Sequence, residues 1–264
     1  MQIYLNQFSV TESFEENYEN GVAPFSHTKK YDLIVNPEVF TSGFQYNEII
    51  DICKKNENAL ASIQELCKAN NTAFCGSFLW HEDSKYFNRA FFIDSTGDIA
   101  AVYNKTYLIP AYKEDEYLTA DDALAHFKFR EFTMGLSICY DLRFPELFRE
   151  YAKHETDAII IMAQWPEKRL DHMITLARAR AIENQCYVII ANAVGLTGHI
   201  ENAGHSMIIH PKGNILIDLE KSTEGKDFAI QHSDVNQWRS EFPSLFQYSS
   251  PKTPTSKNLK GKHE

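Results

Sequence analysis

Apolar residues fall in short runs along this chain, and the runs alternate with stretches of helical period. Residues 2–8 alternate imperfectly, which predicts a strand, and Ser13 can cap a polar, Glu-rich helix to about residue 27. The run 31–36, ended by Pro37, reads as a buried strand. Ile49, Ile50, Cys53, Leu60, Ile63 and Leu66 recur at helical spacing across 47–69. Strands are predicted over 72–79, 86–94 and up to Tyr103, and the stretch 105–125 has no clean period and reads as loop. Beyond it, strands 126–131 and 132–139 precede a helix over 144–153. The apolar runs 157–163 and 186–193 read as buried strands around a helix over 169–184. A hairpin of 204–210 and 214–219, a strand over 226–232 and a short helix over 234–244 complete the pattern. Alternating strands and helices, some strands paired and some single, imply an α/β layered domain.

Composition narrows the class without naming it. The chain has 264 residues, 44% hydrophobic and 23% charged, with a net charge of −10. This charge argues against nucleic acid or an anionic membrane as partner, though a locally positive pocket can still hold an anion. Five cysteines with no CxxC pair argue against a disulfide framework and for a reducing compartment. No apolar run approaches the ~20 residues that span a bilayer. The N-terminus lacks the basic and apolar regions of a secretory signal, so a cytoplasmic enzyme is expected. The ten histidines are scattered, which gives no support for a metal site. One domain is expected over 1–245, with 246–264, rich in Lys, Pro and Ser, as a flexible C-terminal tail.

The chemistry concentrates at GLSICYDLRFPELFR. An apolar strand ends at Cys139, and the chain turns through Tyr140 and Asp141 toward a helix. A thiol beside helix N–H groups is biased toward thiolate, the nucleophilic form. A cysteine taken alone is more often a small buried residue, and the other four are read that way. Gly135-x-Ser137-x-Cys139 lacks the last glycine of a serine-nucleophile elbow, so a serine nucleophile is rejected. Arg178, Arg180 and Glu183 share a helix, and the Arg180–Glu183 spacing points to ion-pair scaffolding.

Three segments together resemble the nitrilase superfamily of carbon–nitrogen hydrolases. Glu38 in DLIVNPEVFTSGF, Lys105 in VYNKTYL and Cys139 in SICYDLRFPE stand in that family's order, each after a separate strand. The resemblance continues through AQWPEKRLDHMITLARARAIENQCYVIIAN and GHSMIIHPKGNIL to about residue 244. CYDLRFPEL, QWP and DVNQWRSEFPSLF are most similar to the omega-amidase subgroup. The resemblance implies a four-layer α-β-β-α sandwich and a homodimer, with the 169–184 helix as a contact. It also implies hydrolysis of a small linear amide, such as a dicarboxylic acid monoamide, without a cofactor. Cys139 would be the nucleophile, Glu38 the base, and Lys105 with the Tyr140 backbone N–H the oxyanion donors.

Glu114 matches the family's second glutamate, with Asp115 and Glu116 as neighbouring rivals. Arg143, Lys168 and Arg169 are candidates for a substrate carboxylate, and Trp165 is a further candidate contact. N-carbamoyl amino acid hydrolysis, other aliphatic amidase or nitrilase action, and a catalytically idle binding member are the alternatives.

Overall fold

A computed structural model describes residues 1–245; the tail expected over 246–264 lies outside the described residues. In chain order the strands are β1 (Gln2–Leu5), β2 (Leu33–Val35), β3 (Ala73–Glu82), β4 (Lys85–Ile93), β5 (Ile99–Asn104), β6 (His126–Phe129) and β7 (Phe132–Ile138). They continue as β8 (Ala158–Ala163), β9 (Tyr187–Asn192), β10 (Val194–Thr197), β11 (Ile200–Ala203), β12 (Met207–Ile209), β13 (Ile215–Asp218) and β14 (Lys226–Ala229). The helices are α1 (Phe14–Val22), α2 (Ile49–Asn70), α3 (Glu114–Tyr117), α4 (Pro145–Lys153), α5 (Leu170–Asn184) and α6 (His232–Glu241).

One six-stranded sheet has the order β14-β1-β2-β3-β4-β5, and the other β13-β12-β9-β8-β7-β6. In the first sheet the strand period of two is read out directly. Leu33 and Val35 of β2 join the core shared with the second sheet, whereas Ile34 packs with Leu60, Ile63 and Cys67 of α2. Cys75 and Phe92 likewise face the second sheet: Cys75 Sγ lies 3.7 Å from Met162 Sδ, and the Phe92 ring 4.6 Å from that of Phe127. On the far face of the second sheet lie α4 and α5, through Phe148, Tyr151, Met173, Ala177 and Ala181. Gly135 in β7 is needed there, because a Cβ would sit 2.8 Å from the Tyr151 ring. The result is helix, sheet, sheet, helix, as the four-layer expectation has it.

Local chemistry sets the boundaries. The Ser13 hydroxyl accepts the Glu16 N–H and starts α1. Asn71, at φ +52°, ends α2 in the left-handed conformation. Two departures stand out. The hairpin β10–β11 is unpredicted, its strands being four residues each and without alternation. The expected loop 105–125 contains a 3-10 turn at Pro110–Tyr112 and the single turn α3, both too short to show a period.

Candidate active site

The topology brings the ends of distant strands together. β2 and β3 run parallel, β4 reverses and β5 reverses again, so β2 and β5 end on the same edge. In the other sheet β7, β8 and β9 run parallel. Residues just beyond these ends are Glu38, Lys105, Cys139 and Gln164, and ligand sites in α/β sheets form at such carboxyl ends.

Lys105 is the hub. It is fully buried, and its ammonium donates to Glu38 Oε1 at 2.8 Å and to Glu114 Oε1 at 2.7 Å. The second oxygen of Glu114 accepts the Ile109 N–H at 2.7 Å, which ties α3 to the Lys105 loop. Asp115 and Glu116, the rivals in sequence, are exposed. Glu38 is equally buried: Oε1 also accepts from Asn88 Nδ2 at 2.8 Å, and Oε2 accepts the Gln164 N–H at 3.1 Å. Asn88 in addition accepts the Lys105 backbone N–H at 2.9 Å, so one residue of β4 steadies both groups. Burial opposes the Lys105 ammonium, but Glu114 and Glu38 outweigh it and hold its pKa well above the ordinary value. Burial pushes the Glu114 carboxyl up, against the pull of Lys105.

Cys139 corrects one expectation. It opens a 3-10 turn, Cys139–Arg143, and the α-helix begins only at Pro145. No helix N-terminus therefore polarises the thiol. Burial, then the Glu38 carboxylate, push its pKa well above the usual value, and Lys105 only partly offsets them. Both effects favour the thiol form, with the Glu38 carboxylate beside it. Cys139 has φ +44°, a conformation that side chains other than glycine adopt at some cost.

Asp141 braces this strained turn: it accepts the Ile138 and Tyr107 N–H groups, each at 2.9 Å, and the Tyr103 hydroxyl at 2.7 Å. Burial raises its pKa to about 6, although these hydrogen bonds pull the other way. Neither Asn88 nor Asp141 was singled out from sequence. A polar residue amid the apolar runs KYFNRAFFI and SICYDL is the signal that marks them.

A cavity of about 280 Å³ opens beside Cys139, walled by Phe44, Tyr112, Tyr140, Trp165, Arg143 and Arg169 among others. Arg143 lies over the Trp165 ring at 4.6 Å and approaches His172 Nδ1 at 3.4 Å. Trp165 is itself pinned, its backbone N–H donating to Asn192 Oδ1 at 2.6 Å and its ring N–H to Arg169 O at 2.7 Å. Among the sequence candidates for an anion site, Lys168 is not in this wall: the 3-10 turn Glu167–Arg169 leaves it exposed to solvent. Arg180 is structural as expected, bonded to Glu183 at 3.0 Å and to the Leu142 carbonyl at 3.0 Å. Among the described residues, no group of three or more His, Cys, Asp or Glu is placed to hold a metal ion. No helix among the described residues is long and apolar enough to cross a membrane.

Two stacked sheets between helices, with a thiol, two carboxylates and an ammonium buried where the strands end, define a class that comparison makes specific. The chain belongs to the carbon–nitrogen hydrolase family, whose model matches residues 3–240. It is 33% identical over 242 residues to the "Hydrolase in agr operon" of Staphylococcus aureus, covering 90% of this chain and 89% of that protein. It is 34% identical over 255 residues to the 2-oxoglutaramate amidase of Paenarthrobacter nicotinovorans, covering 90% and 85% respectively. In structure it is similar to XC1258 of Xanthomonas campestris, a CN-hydrolase superfamily protein with an arsenic adduct in its active site. That match has a TM-score of 0.89 and 26% identity, over 97% of this chain and 99% of the other. The fold is that of the nitrilase superfamily, and the chain is a hydrolase of non-peptide carbon–nitrogen bonds.

Proposed function

We propose that this enzyme removes the terminal amide of short dicarboxylic acid monoamides, such as 2-oxoglutaramate, releasing ammonia through a cysteine thioester. The observation that carries the substrate class is the cavity wall. Arg143 and Arg169 line it, and neither has an acidic partner among the described residues. Two uncompensated guanidinium groups on a chain of net charge −10 favour a substrate whose far end is a carboxylate. The cavity is below the ~300–1,000 Å³ of drug-sized sites, in keeping with a small ligand. The Paenarthrobacter relative, named for action on 2-oxoglutaramate, supports the same reading.

In this mechanism Cys139 Sγ attacks the amide carbonyl as its proton passes to Glu38. Thiol and carboxylate become thiolate and carboxylic acid, so the buried cluster gains no net charge. This is why a raised thiol pKa is compatible with nucleophilic attack. Lys105 and the Tyr140 backbone N–H stabilise the oxyanion, and Glu114 holds Lys105 in place. The C–N bond breaks, Glu38 returns the proton to the nitrogen, and ammonia leaves. Glu38 then takes a proton from water, which attacks the thioester and frees the acid and the thiol. A homodimer through α5, where Ile182 is 48% exposed, is part of the proposal; analytical ultracentrifugation tests it.

The deciding experiment is an ammonia-release assay over a panel of chain-matched amides, carbamoyl amino acids and nitriles. Monoamides ending in carboxylate are expected to exceed neutral amides in kcat/KM. Equal values would remove the omega-amidase assignment and leave general amidase action standing.

A further inference from the structure

Gln164 follows β8 directly, is 1% exposed, and still contributes to the cavity wall beside Cys139. Two of its polar groups have evident places. Its backbone N–H donates to Glu38 Oε2 at 3.1 Å and also faces the Cys139 thiol. Its side-chain Nε2 donates to the Glu38 carbonyl oxygen at 2.8 Å. The other side-chain group, Oε1, has no hydrogen-bond partner among the described residues.

A carbonyl such as Glu38 O can only accept, so the Nε2 bond fixes which end of the amide is nitrogen. The orphan is therefore an oxygen, an acceptor held rigidly next to the base and the thiol. A buried acceptor without a donor is costly and rare.

We propose that Gln164 Oε1 is completed by the substrate, accepting an N–H of the amide nitrogen that is to leave. This rests on the amide-hydrolysis reading above and extends it to a residue that selects for the leaving group. With one N–H held by Gln164, the nitrogen lone pair that emerges in the tetrahedral intermediate is turned toward the proton on Glu38. An ester oxygen, a ketone methyl or a nitrile offers no N–H, and leaves Oε1 unpaired. A site built to pair with a substrate N–H rejects analogues lacking it more strongly than one that tests shape alone. Gln164 thus sets preference for primary amides over isosteric compounds, separately from the arginines that read the far carboxylate.

The test compares glutaramate with 5-oxohexanoate, the same chain with CH3 in place of NH2. Calorimetric titration of Cys139→Ala protein removes the chemistry and leaves binding. The amide is expected to bind about tenfold more tightly than the ketone, as one hydrogen bond implies. In Cys139→Ala/Gln164→Met the two should bind equally. Should Gln164→Met fail to fold, Gln164→Asn, which retracts the same group by one methylene, serves the same comparison. Loss of the Nε2–Glu38 bond alone would weaken both ligands together. Equal binding by Cys139→Ala, or a preference that survives in the double variant, overturns the role given to Gln164. A wild-type enzyme that releases no ammonia from glutaramate overturns the monoamide reading on which this proposal rests.

Discussion

Replacing Lys105 by Met tests the electrostatics of the cluster and its chemistry in one variant. The ammonium sits between Glu38 at 2.8 Å and Glu114 at 2.7 Å, and all three side chains are fully buried. Removing it leaves two carboxylates facing one another without a cation. Breaking a buried ion pair in this way costs ~3–5 kcal/mol. At ~2–4 °C per kcal/mol for a chain of this size, the Tm should fall by roughly 6–20 °C.

The loss depends on pH with a definite sign. The Glu114 pKa is already raised by burial, and without Lys105 it rises further. A carboxyl with a raised folded pKa contributes stability that is full below its unfolded value, ~4.3, and is lost as pH rises through the folded one. The variant should therefore lie closest to wild type at about pH 5 and furthest from it at about pH 8. Its kcat for ammonia release should drop by ~10²–10³, with KM little changed. Thermal melts across pH and steady-state kinetics measure both. An unchanged Tm with a flat pH response would show that the cluster is not ionised as described, and an unchanged kcat would remove Lys105 from the oxyanion site.

Cys139→Ala should abolish ammonia release while leaving the melt cooperative; residual turnover above a few per cent of wild type, ~1 part in 30 or more on a scale where lost nucleophiles cost far more, contradicts a covalent route. Glu38→Gln should slow both formation and hydrolysis of the thioester, which intact-protein mass spectrometry follows; normal burst kinetics would exclude it as the base. Arg143→Met should raise KM for glutaramate about tenfold and spare a neutral amide of equal length, and equal effects on both would point to a packing role over Trp165 instead. Asp141→Asn removes one of two oxygens that accept hydrogen bonds, and should lower the Tm. Since the Asp141 pKa is raised to about 6, from ~3.9 when unfolded, its stabilisation is full below the lower value and declines through the upper one. The wild-type advantage over Asp141→Asn should be largest in acid and narrow toward neutrality; a gap that widens as pH rises contradicts the raised value.

Much of the fold was legible because buried strands such as IIIM and VIIA are apolar runs too short for helices, and Pro37 and Ser13 punctuate them. The residues Glu38, Lys105 and Cys139 were legible through motif and order, and strand pairing explains why they meet. Three things were not legible. Whether Cys139 met a helix terminus depended on a 3-10 turn that no periodicity reports. Lys168 and Arg169 are adjacent in sequence, yet only Arg169 lines the cavity, a matter of local turn geometry. Asn88 and Gln164 act through neighbours more than forty residues away in the chain, so only the folded strand register reveals their partners.

The burial of Cys139 also bears on its reactivity toward oxidants and electrophiles. Sulfur oxidation and alkylation follow thiolate character and access. Cys139 is 3% exposed, and burial and Glu38 push its pKa up. The other four cysteines are buried too, with burial pushing Cys53, Cys67 and Cys186 up to about 12. Reagents that need a preformed thiolate therefore meet a group that burial and Glu38 bias toward the thiol. Labelling of Cys139 by thiol reagents at neutral pH should therefore be slow, and slower still with a ligand filling the cavity beside it.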